Sequence, residues 1–187
     1  MKKIPTLFKR ENSLPNNPVK NEVTPGCEWV LEGMGVATHK WDGTCCLSKE
    51  GVLYKRYDAK QGKTPPEGFV PAQDPDPITG HWPGWLQVTT GAEDKYFMQG
   101  WHNSFATLGN PIPDGTYELI GPKVNSNKDG VQDHILIPHG KSDYPDFPRT
   151  FEAIKAYLET FQGEGVVFHH PDGRMCKIKR RDFGFKW

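Results

Sequence analysis

The stretch EGVVFHHPDGRMCKIK, residues 164–179, says most about how this chain folds. Two runs of apolar and β-branched residues flank Pro171-Asp172-Gly173, a triplet that suits a type I turn closed by a glycine with positive φ. The pattern predicts a β-hairpin in which His170 pairs with Arg174. We therefore expect an antiparallel sheet near the end of this sequence.

The register of this hairpin determines which side chains share a face. Counting outward from the turn, Val167 faces Lys177. The next pair on that face is Gly165 with Lys179, because strand side chains alternate. A two-residue Asp-Gly loop would present Glu164 and its alternate neighbours instead, but the proline favours the first register. Two ammonium groups beside a bare glycine suit a phosphate, although two solvated lysines on an exposed strand are the plainer alternative.

A second informative stretch is KWDGT, residues 40–44, at the entrance to a predicted strand. A lysine amine is a nucleophile only when it is deprotonated, and its ordinary pKa is about 10.4. Other cations or a metal ion are needed to lower such a value, and the sequence offers Arg56, Lys177 and Lys179. The stretch suggests a nucleophile at Lys40, against the alternative of a solvated lysine before an Asp-Gly turn.

The remaining regular elements also favour antiparallel pairing. Thr44–Ser48 and Val52–Arg56 flank a Lys-Glu-Gly turn and predict a second hairpin. Thr116–Ile120 and His134–Ile137 predict two further strands, joined by a polar loop. A helix is predicted over Thr150–Phe161, where apolar residues recur at helical spacing on a face that should pack into the core. Together these elements predict an α+β fold.

Residues 57–105 read differently from their surroundings. Repeated prolines interrupt residues 57–92 and predict a long irregular segment inserted in the domain. Its tryptophans, Trp82 and Trp85, either pin the segment to the core or stack on nucleic-acid bases, and pinning is favoured.

Composition limits the classes of protein to which the chain can belong. It has 187 residues, with 23 basic and 23 acidic side chains, and a formal net charge of zero. A neutral chain is not a general nucleic-acid coat protein, although a local basic groove is allowed. No apolar stretch approaches the roughly 20 residues that span a bilayer, and the N-terminus has no apolar signal core.

The cysteines are Cys27, Cys45, Cys46 and Cys176. They show no CxxC spacing, so they indicate neither a zinc site nor a disulfide framework. The adjacent Cys45 and Cys46 should point to opposite faces of a strand. The favoured interpretation is reduced thiols in a cytoplasmic protein.

Five short stretches occur in a recognisable order. They are KWDGT (40–44), KR (55–56), YELIG (117–121), EGVVF (164–168) and KIK (177–179). Their order resembles the covalent nucleotidyltransferase superfamily of polynucleotide ligases and mRNA capping enzymes. GTYELIGPKVN (115–125) and KIKRRDFG (177–184) are more specifically similar to the stand-alone ATP-dependent 5′-3′ RNA ligases of animals and some viruses.

This resemblance implies a nucleotidyltransferase fold, the ligase adenylation domain, in which antiparallel sheets form a nucleotide cleft. It also implies a reaction in three steps. Lys40 attacks the α-phosphorus of ATP, expels pyrophosphate and forms lysyl-AMP; AMP then passes to an RNA 5′-phosphate, and an RNA 3′-hydroxyl displaces it. Mg²⁺ or Mn²⁺ is the implied metal cofactor, with oxygen ligands and bound waters.

The resemblance also assigns residues. The implied catalytic residues are Lys40, Lys177 and Lys179, of which the last two neutralise phosphate charge. The implied nucleotide-binding set is His39, Lys40, Asp42, Gly43, Arg56, Glu118, Glu164, Val167, Lys177 and Lys179.

Individual roles follow from the same resemblance. Glu118 binds the ribose hydroxyls, Arg56 touches the nucleotide sugar or the 3′-hydroxyl strand, and Val167 packs on the adenine. The implied metal ligands are Glu118, Glu164 and, through water, Asp42, which alternatively orients Lys40. His139 lies near the position of the aromatic that stacks on the base, but the resemblance does not assign it that role.

The implied substrate is RNA, with a 5′-phosphate and a 3′-hydroxyl end, and the implied process is RNA repair. RNA is preferred to DNA because the closer family joins RNA and because the oligonucleotide-binding appendage of DNA ligases is absent. We expect one nucleotidyltransferase domain over residues 1–187 without a C-terminal appendage, and RNA contacts within residues 57–105, including Lys95. The alternatives are a capping-type guanylyltransferase and a catalytically silent RNA-binding module.

Overall fold

The structure is a computed structural model that describes residues 3–141 and 143–187. Its strands are β1 (Phe8–Arg10), β2 (Val19–Val23), β3 (Val36–Lys40), β4 (Thr44–Lys49), β5 (Val52–Ala59), β6 (Val70–Pro71), β7 (Trp82–Gln87), β8 (Gly115–Ile120), β9 (Ile135–Pro138), β10 (Asp143–Tyr144), β11 (Gly165–His169) and β12 (Met175–Lys179). Its α-helices are α1 (Glu28–Leu31), α2 (Lys95–Asn103), α3 (Phe105–Leu108) and α4 (Phe151–Thr160). Short 3-10 turns lie at Ala92–Asp94, Asn125–Asn127 and Arg180–Phe183.

The chain divides into two compact units. The central unit consists of Asp42–His139 with Lys3, and the terminal unit consists of Ile4–Trp41 and Gly140–Trp187. Each unit contains helices and an antiparallel sheet. The α+β class with antiparallel sheets is therefore confirmed, whereas the assignment of residues 1–187 to one nucleotidyltransferase domain stays a prediction.

The central unit is built on one antiparallel sheet in the order β6-β7-β5-β4-β8-β9. The predicted β4–β5 hairpin is confirmed, and its turn uses positive φ at Glu50 (52°) and Gly51 (74°), as a tight hairpin connection requires. Strand β5 continues to Ala59 instead of ending at Arg56. The core of this unit is formed by Cys46, Leu53, Val88, Trp101, Ile112, Tyr117, Leu119 and Leu136.

The segment 57–105 is more regular than its prolines predict. Strand β7 lies within the sheet, and Pro83 pairs with Asp58 of β5 while its carbonyl accepts a hydrogen bond from the backbone of Ala72 at 3.0 Å. Trp85 is buried, and Trp82 donates its indole N–H to the backbone of residue 73 at 2.8 Å. Pinning of the segment by its tryptophans is confirmed, and RNA contact stays a prediction. The expectation of an irregular stretch is wrong over β6, β7 and α2.

The terminal unit contains a sheet in the order β10-β3-β11-β12 and a two-stranded β1-β2 sheet. The β11–β12 register pairs Val167 with Lys177. It also pairs Gly165 with Lys179, and His170 donates to the carbonyl of residue 174 at 2.9 Å. The three-residue hairpin loop is thus confirmed over the Asp-Gly alternative.

Helix α4 covers the core of the terminal unit as predicted. Thr150 is its N-cap, and the hydroxyl oxygen accepts a hydrogen bond from the Ala153 backbone at 3.4 Å. Ile154 and Leu158 are fully buried. The core is formed by Leu7, Phe8, Val19, Cys27, Trp29, Val30, Ala37, Phe147, Ile154, Leu158, Phe161, Val166, Phe168, Cys176 and Ile178.

One prediction about the cysteines is wrong. Cys27, which precedes α1, and Cys176 of β12 form a disulfide across 149 residues of sequence. Sequence spacing could not reveal this pair, because the two cysteines lie far apart in the sequence and only folding brings them within bonding distance. Cys45 and Cys46 are free thiols, and only Cys46 is fully buried in the core. In the described part of the chain, no helix has the length and apolar character needed to cross a membrane.

Candidate functional site

Three strands of the terminal unit place three lysines on one face of a sheet. Lys40 at the end of β3 pairs with Gly165 of β11, which pairs in turn with Lys179 at the end of β12. The next row joins Val167 with Lys177. Since alternate side chains of a strand share a face, the lysines of both rows project to the same side. Lys40 and Lys179 therefore flank the glycine, one on each neighbouring strand.

The glycine between them is required by close packing. A Cβ atom added at Gly165 would strike the carbonyl oxygen of Ile178 and lie 2.7 Å from the Cα of Lys179. Any larger residue would push β12 away from β11. Gly165 thus keeps the two lysine-bearing strand ends close together.

Glu164 joins the two lysines electrostatically. One carboxylate oxygen accepts a hydrogen bond from Lys40 Nζ, and the other accepts one from Lys179 Nζ at 2.5 Å. The side chain is buried, with 8% exposed. Burial raises the pKa of Glu164, but the positive charge of Lys40 and the hydrogen bonds from both lysines outweigh burial and hold the pKa below its ordinary value. The carboxylate is therefore ionised and neutralises part of the lysine cluster.

The two lysines of β12, Lys177 and Lys179, lie in an environment that disfavours their positive charge. Burial, together with the positive charges of Lys179 and Lys40, lowers the pKa of Lys177 to about 8. Burial and the charge of Lys40 also lower the pKa of Lys179, although its bond to Glu164 opposes them. An anion at this face would relieve the repulsion, so the cluster is suited to bind phosphate groups.

The end of β12 is held by the residues that follow it. The buried Asp182 accepts a hydrogen bond from the backbone N–H of Lys179 at 2.9 Å. It also forms an ion pair with Arg10 at 2.5 Å. Arg180 donates its backbone N–H to the carbonyl of Glu164 at 2.9 Å. The stretch 177–184 therefore positions the lysine cluster as well as contributing to it.

His39 does not share the face of Lys40. It alternates with Lys40 along β3, and its Nδ1 lies 2.9 Å from the hydroxyl of Tyr144. Its ring contacts Trp41 and Phe161, with centroids 4.3 and 5.7 Å away. These contacts give His39 a packing role on the other side of the sheet, and its predicted nucleotide contact stays untested.

In the central unit, a loop holds Asp42 and Gly43 in place. Asn125 donates to the Asp42 carboxylate at 3.1 Å and to the Gly43 carbonyl at 2.8 Å. Lys128 lies 3.7 Å from the other Asp42 oxygen, and Asp129 accepts from the Asp42 backbone at 3.0 Å. Asn125 ends the stretch 115–125 that resembles RNA ligases, but its sequence alone does not indicate that this loop supports Asp42.

Gly43 is also required by close packing. A Cβ atom there would strike the carbonyl oxygen of Leu119 and approach the Glu118 side chain at 2.8 Å. The chain therefore passes directly over β8 as it enters β4. This contact places Gly43 beside Glu118, and their shared nucleotide role stays a prediction.

A second group of polar side chains crosses the central sheet. Cys45 of β4 pairs with Glu118 of β8, and His139 follows β9 with its Nε2 2.9 Å from a Glu118 oxygen. Arg56 of β5 lies 2.9 Å from Asp58 through its Nε, and its guanidinium lies 5.6 Å from the ring of Trp85. Sequence reasoning assigned Arg56 and Glu118 but missed Cys45.

The predicted metal ligands have protein partners. Glu164 binds two lysines, and Asp42 binds Asn125 and Lys128. Both supply the carboxylate oxygens that Mg²⁺ prefers, so the residue types fit this ion. The metal roles of Asp42, Glu118 and Glu164 stay predictions.

Comparison with known proteins gives the family context. Residues 107–187 match the family model described as RNA ligase 1. RNA ligase 1 of Danio rerio is 30% identical over 141 residues, which cover 58% of this chain and 42% of that protein. RNA ligase 1 of Mus musculus is 26% identical over an alignment of 225 residues, covering 81% of this chain and 68% of that protein. RNA ligase 1 of Pongo abelii is 27% identical over 168 residues, which cover 67% of this chain and 50% of that protein.

The chain resembles RNA ligase 1. This finding confirms the resemblance to the RNA ligase family that the sequence motifs indicate. The chain spans less than half the length of the Danio rerio RNA ligase 1 and about two thirds of the Mus musculus protein. The part matched to the RNA ligase 1 family contains Glu118, Glu164 and both C-terminal lysines of the cluster, whereas Lys40 and Arg56 precede it.

Proposed function

We propose that this protein is an ATP-dependent RNA ligase that joins a 5′-phosphate to a 3′-hydroxyl through an AMP group carried on Lys40. The observation that supports this most is the lysine cluster of the terminal unit. Lys40 and Lys179 flank Gly165, Lys177 lies on the same face, and Glu164 binds two of the three ammonium groups. The names of the relatives agree with this proposal.

In this proposal Lys40 is the nucleophile. Its Nζ attacks the α-phosphorus of ATP, the bond to the bridging oxygen breaks, and pyrophosphate leaves. Before attack, Lys40 must give up its hydrogen bond to Glu164 and release a proton to solvent. The lysines at 177 and 179 then neutralise the negative charge that develops on the phosphate oxygens, which is the main requirement of phosphoryl transfer.

Release of the nucleophile depends on Glu164. In the structure its two oxygens are shared between Lys40 and Lys179. Glu164, Glu118 and, through water, Asp42 are the residues we assign to Mg²⁺ or Mn²⁺, which when bound neutralises phosphate charge. A carboxylate that turns from an ammonium group to another cation frees the amine it held.

The nucleotide contacts are assigned from the resemblance and are consistent with each unit taken by itself. Glu118 offers a carboxylate to the ribose hydroxyls, and Arg56 offers a cation to the sugar or to the 3′-hydroxyl strand. Val167 shares the face of the lysine cluster and is assigned to the adenine. The nucleotidyltransferase fold and its nucleotide cleft are part of this proposal.

Covalent labelling tests the first step. We expect purified wild-type protein incubated with ATP and Mg²⁺ to gain one adenylyl group by intact-mass spectrometry, and Lys40→Ala to gain none. Lys49→Ala, which changes an exposed lysine of β4, is the control and should label normally. An adduct that persists in Lys40→Ala contradicts the assigned nucleophile, and labelling by GTP in place of ATP supports the guanylyltransferase alternative.

RNA joining tests the remaining steps. Protein with a normal adduct should convert an RNA with 5′-phosphate and 3′-hydroxyl ends into a joined product, and the same RNA without the 5′-phosphate should not react. RNA binding without labelling or joining supports the silent-module alternative.

A further inference from the structure

Three potential metal ligands come together in the central unit. Cys45 of β4 and Glu118 of β8 are directly paired across the sheet. The backbone N–H of His139 donates to the carbonyl of Thr116 at 3.1 Å, which positions the residue immediately after β9 beside the same strand. Strands β4, β8 and β9 are consecutive in the sheet. Each ligand is thus anchored to a different strand of one rigid element.

The ligand atoms are close enough to share one ion. The Cys45 sulfur, a Glu118 oxygen and a His139 ring nitrogen all lie within 4.8 Å of one another, and each residue is partly buried. The His139 Nε2 already contacts Glu118 at 2.9 Å. Its Nδ1 is buried and has no hydrogen-bond partner in residues 3–141 and 143–187. Ligand bonds of about 2.0–2.3 Å to one central ion require only small side-chain movements from this arrangement.

The donor types favour a particular class of metal. A thiolate, an imidazole and a carboxylate supply sulfur, nitrogen and oxygen, a set that suits zinc better than the all-oxygen preference of Mg²⁺. The thiolate and the carboxylate together balance the two positive charges of the ion. Three protein ligands leave a fourth tetrahedral position for water or another small ligand.

The free site should hold a thiol. Burial and the negative charge of Glu118 together raise the pKa of Cys45 to about 12. A metal ion that binds the sulfur must therefore displace a proton, so binding should strengthen as the pH rises.

We propose that Cys45, Glu118 and His139 form a binding site for Zn²⁺ or a similar thiophilic divalent cation. When a metal ion occupies this site, the Glu118 carboxylate is no longer available to bind other molecules. If the proposed function holds, Glu118 is then no longer available to the ribose of ATP, and zinc inhibits adenylylation; this consequence rests on the proposed function, whereas metal binding does not.

Cobalt spectroscopy tests the site directly. The 187-residue chain without a histidine tag is titrated with Co²⁺, which reports a bound thiolate through a charge-transfer band in the near ultraviolet. We expect the band in the wild type and in Cys46→Ala, whose missing thiol belongs to the core, and its loss in Cys45→Ser. Zinc should displace the cobalt and abolish the band.

Affinity measurements complete the test. By titration calorimetry, we expect both Cys45→Ser and His139→Gln to weaken zinc binding by more than about tenfold. The absence of a band in the wild type, or a band of equal intensity in Cys45→Ser, overturns the proposed site.

An activity assay separates this proposal from the proposed function. Cys45→Ser should keep its zinc-free labelling by ATP but lose the inhibition that micromolar zinc causes in the wild type. Normal cobalt binding with no ATP labelling under any condition would leave the metal site intact and contradict the ligase. Labelling by ATP without a cobalt band would support the ligase and contradict the metal site.

Discussion

At the scale of the residue, Glu164 is the group on which the lysine cluster depends. It is a buried carboxylate that accepts hydrogen bonds from two ammonium groups belonging to different strands. Removing one lysine leaves the other to neutralise it, whereas removing the carboxylate leaves like charges close together. The consequences for stability and for chemistry should therefore differ from residue to residue.

Lys179→Ala should lose chemistry more than stability. We expect the rate of adenylylation to fall about a hundredfold, because a cation facing the phosphate is lost. The free energy of unfolding should fall by less than about 3 kcal/mol, because Lys40 still pairs with Glu164. Chemical denaturation and adduct yield measured on the same samples check both values, with the exposed Lys155→Ala as control. An adduct lost only in proportion to the folded fraction would contradict a phosphate-binding role.

Lys177 should make stability depend on pH. Burial lowers its pKa to about 8 from 10.5, so between these values the folded protein has released a proton that the unfolded chain still binds. Unfolding then takes up a proton, and the free energy of unfolding rises with pH, with a slope of at most about 1.4 kcal/mol per pH unit from this group.

Comparison with Lys177→Met isolates this contribution. The wild type should gain stability relative to the variant from about pH 8 upward, and the difference between them should be constant at lower pH, where the lysine is protonated in both states. Urea unfolding at a series of pH values gives the two curves. Parallel curves across the whole range would mean that the amine is not buried as described.

At the scale of the element, the β11–β12 hairpin brings its two lysines to the face that also carries Lys40. Its register follows from a three-residue turn. On the face of the lysine cluster this register pairs Gly165 with Lys179 and Val167 with Lys177. Gly165 allows the close approach of the strands at the end where Glu164 and Lys179 meet. A change within this hairpin should therefore act on the site through strand spacing.

Gly165→Ala tests this spacing. The new Cβ would strike the Ile178 carbonyl, so we expect a loss of about 1–3 kcal/mol in stability and a displaced Lys179. Adduct formation per folded molecule should fall at least tenfold. Gly173→Ala in the turn of the same hairpin is the matched control: it has open space around it but a φ of 90°, so it should cost about 1 kcal/mol and leave the adduct yield per folded molecule unchanged. Equal adduct yields for the two variants would show that the close approach does not govern the site.

At the scale of the whole molecule, the Cys27–Cys176 disulfide closes most of the chain into one loop. Both cysteines belong to the terminal unit. Their sequence separation is 149, and the stretch between them includes all of residues 42–139 of the central unit. A cross-link of this length restricts the unfolded chain strongly, which raises the free energy of unfolding of the linked protein.

Reduction should therefore destabilise the protein. We expect dithiothreitol to lower the free energy of unfolding by about 2–5 kcal/mol, and the double variant Cys27→Ser, Cys176→Ser to show the lower value with or without the reductant. Non-reducing thiol counting identifies the bonded state, because Cys45 and Cys46 are free. An unchanged unfolding curve on reduction of the wild type would contradict the cross-link.

The sequence by itself determined the elements and the local geometry of the lysine pair. The hairpin register, the helix at residues 151–160 and the packing of Trp82 and Trp85 all follow from interactions within a few residues or from hydrophobic pattern, which are encoded locally. The same holds for the motif order from which the resemblance to RNA ligases was predicted. The course of β7 escaped prediction because Pro83 sits where only its carbonyl has to bond.

Only the tertiary structure decided which distant groups meet. It joined Lys40 to Glu164, brought His39 to Tyr144, formed the Cys27–Cys176 bond, and gathered Cys45 with His139. Each of these pairings bridges more than ninety residues of sequence or depends on the order of strands in a sheet. Such contacts are set by the way whole sheets and cores pack, and no local pattern of residues specifies them.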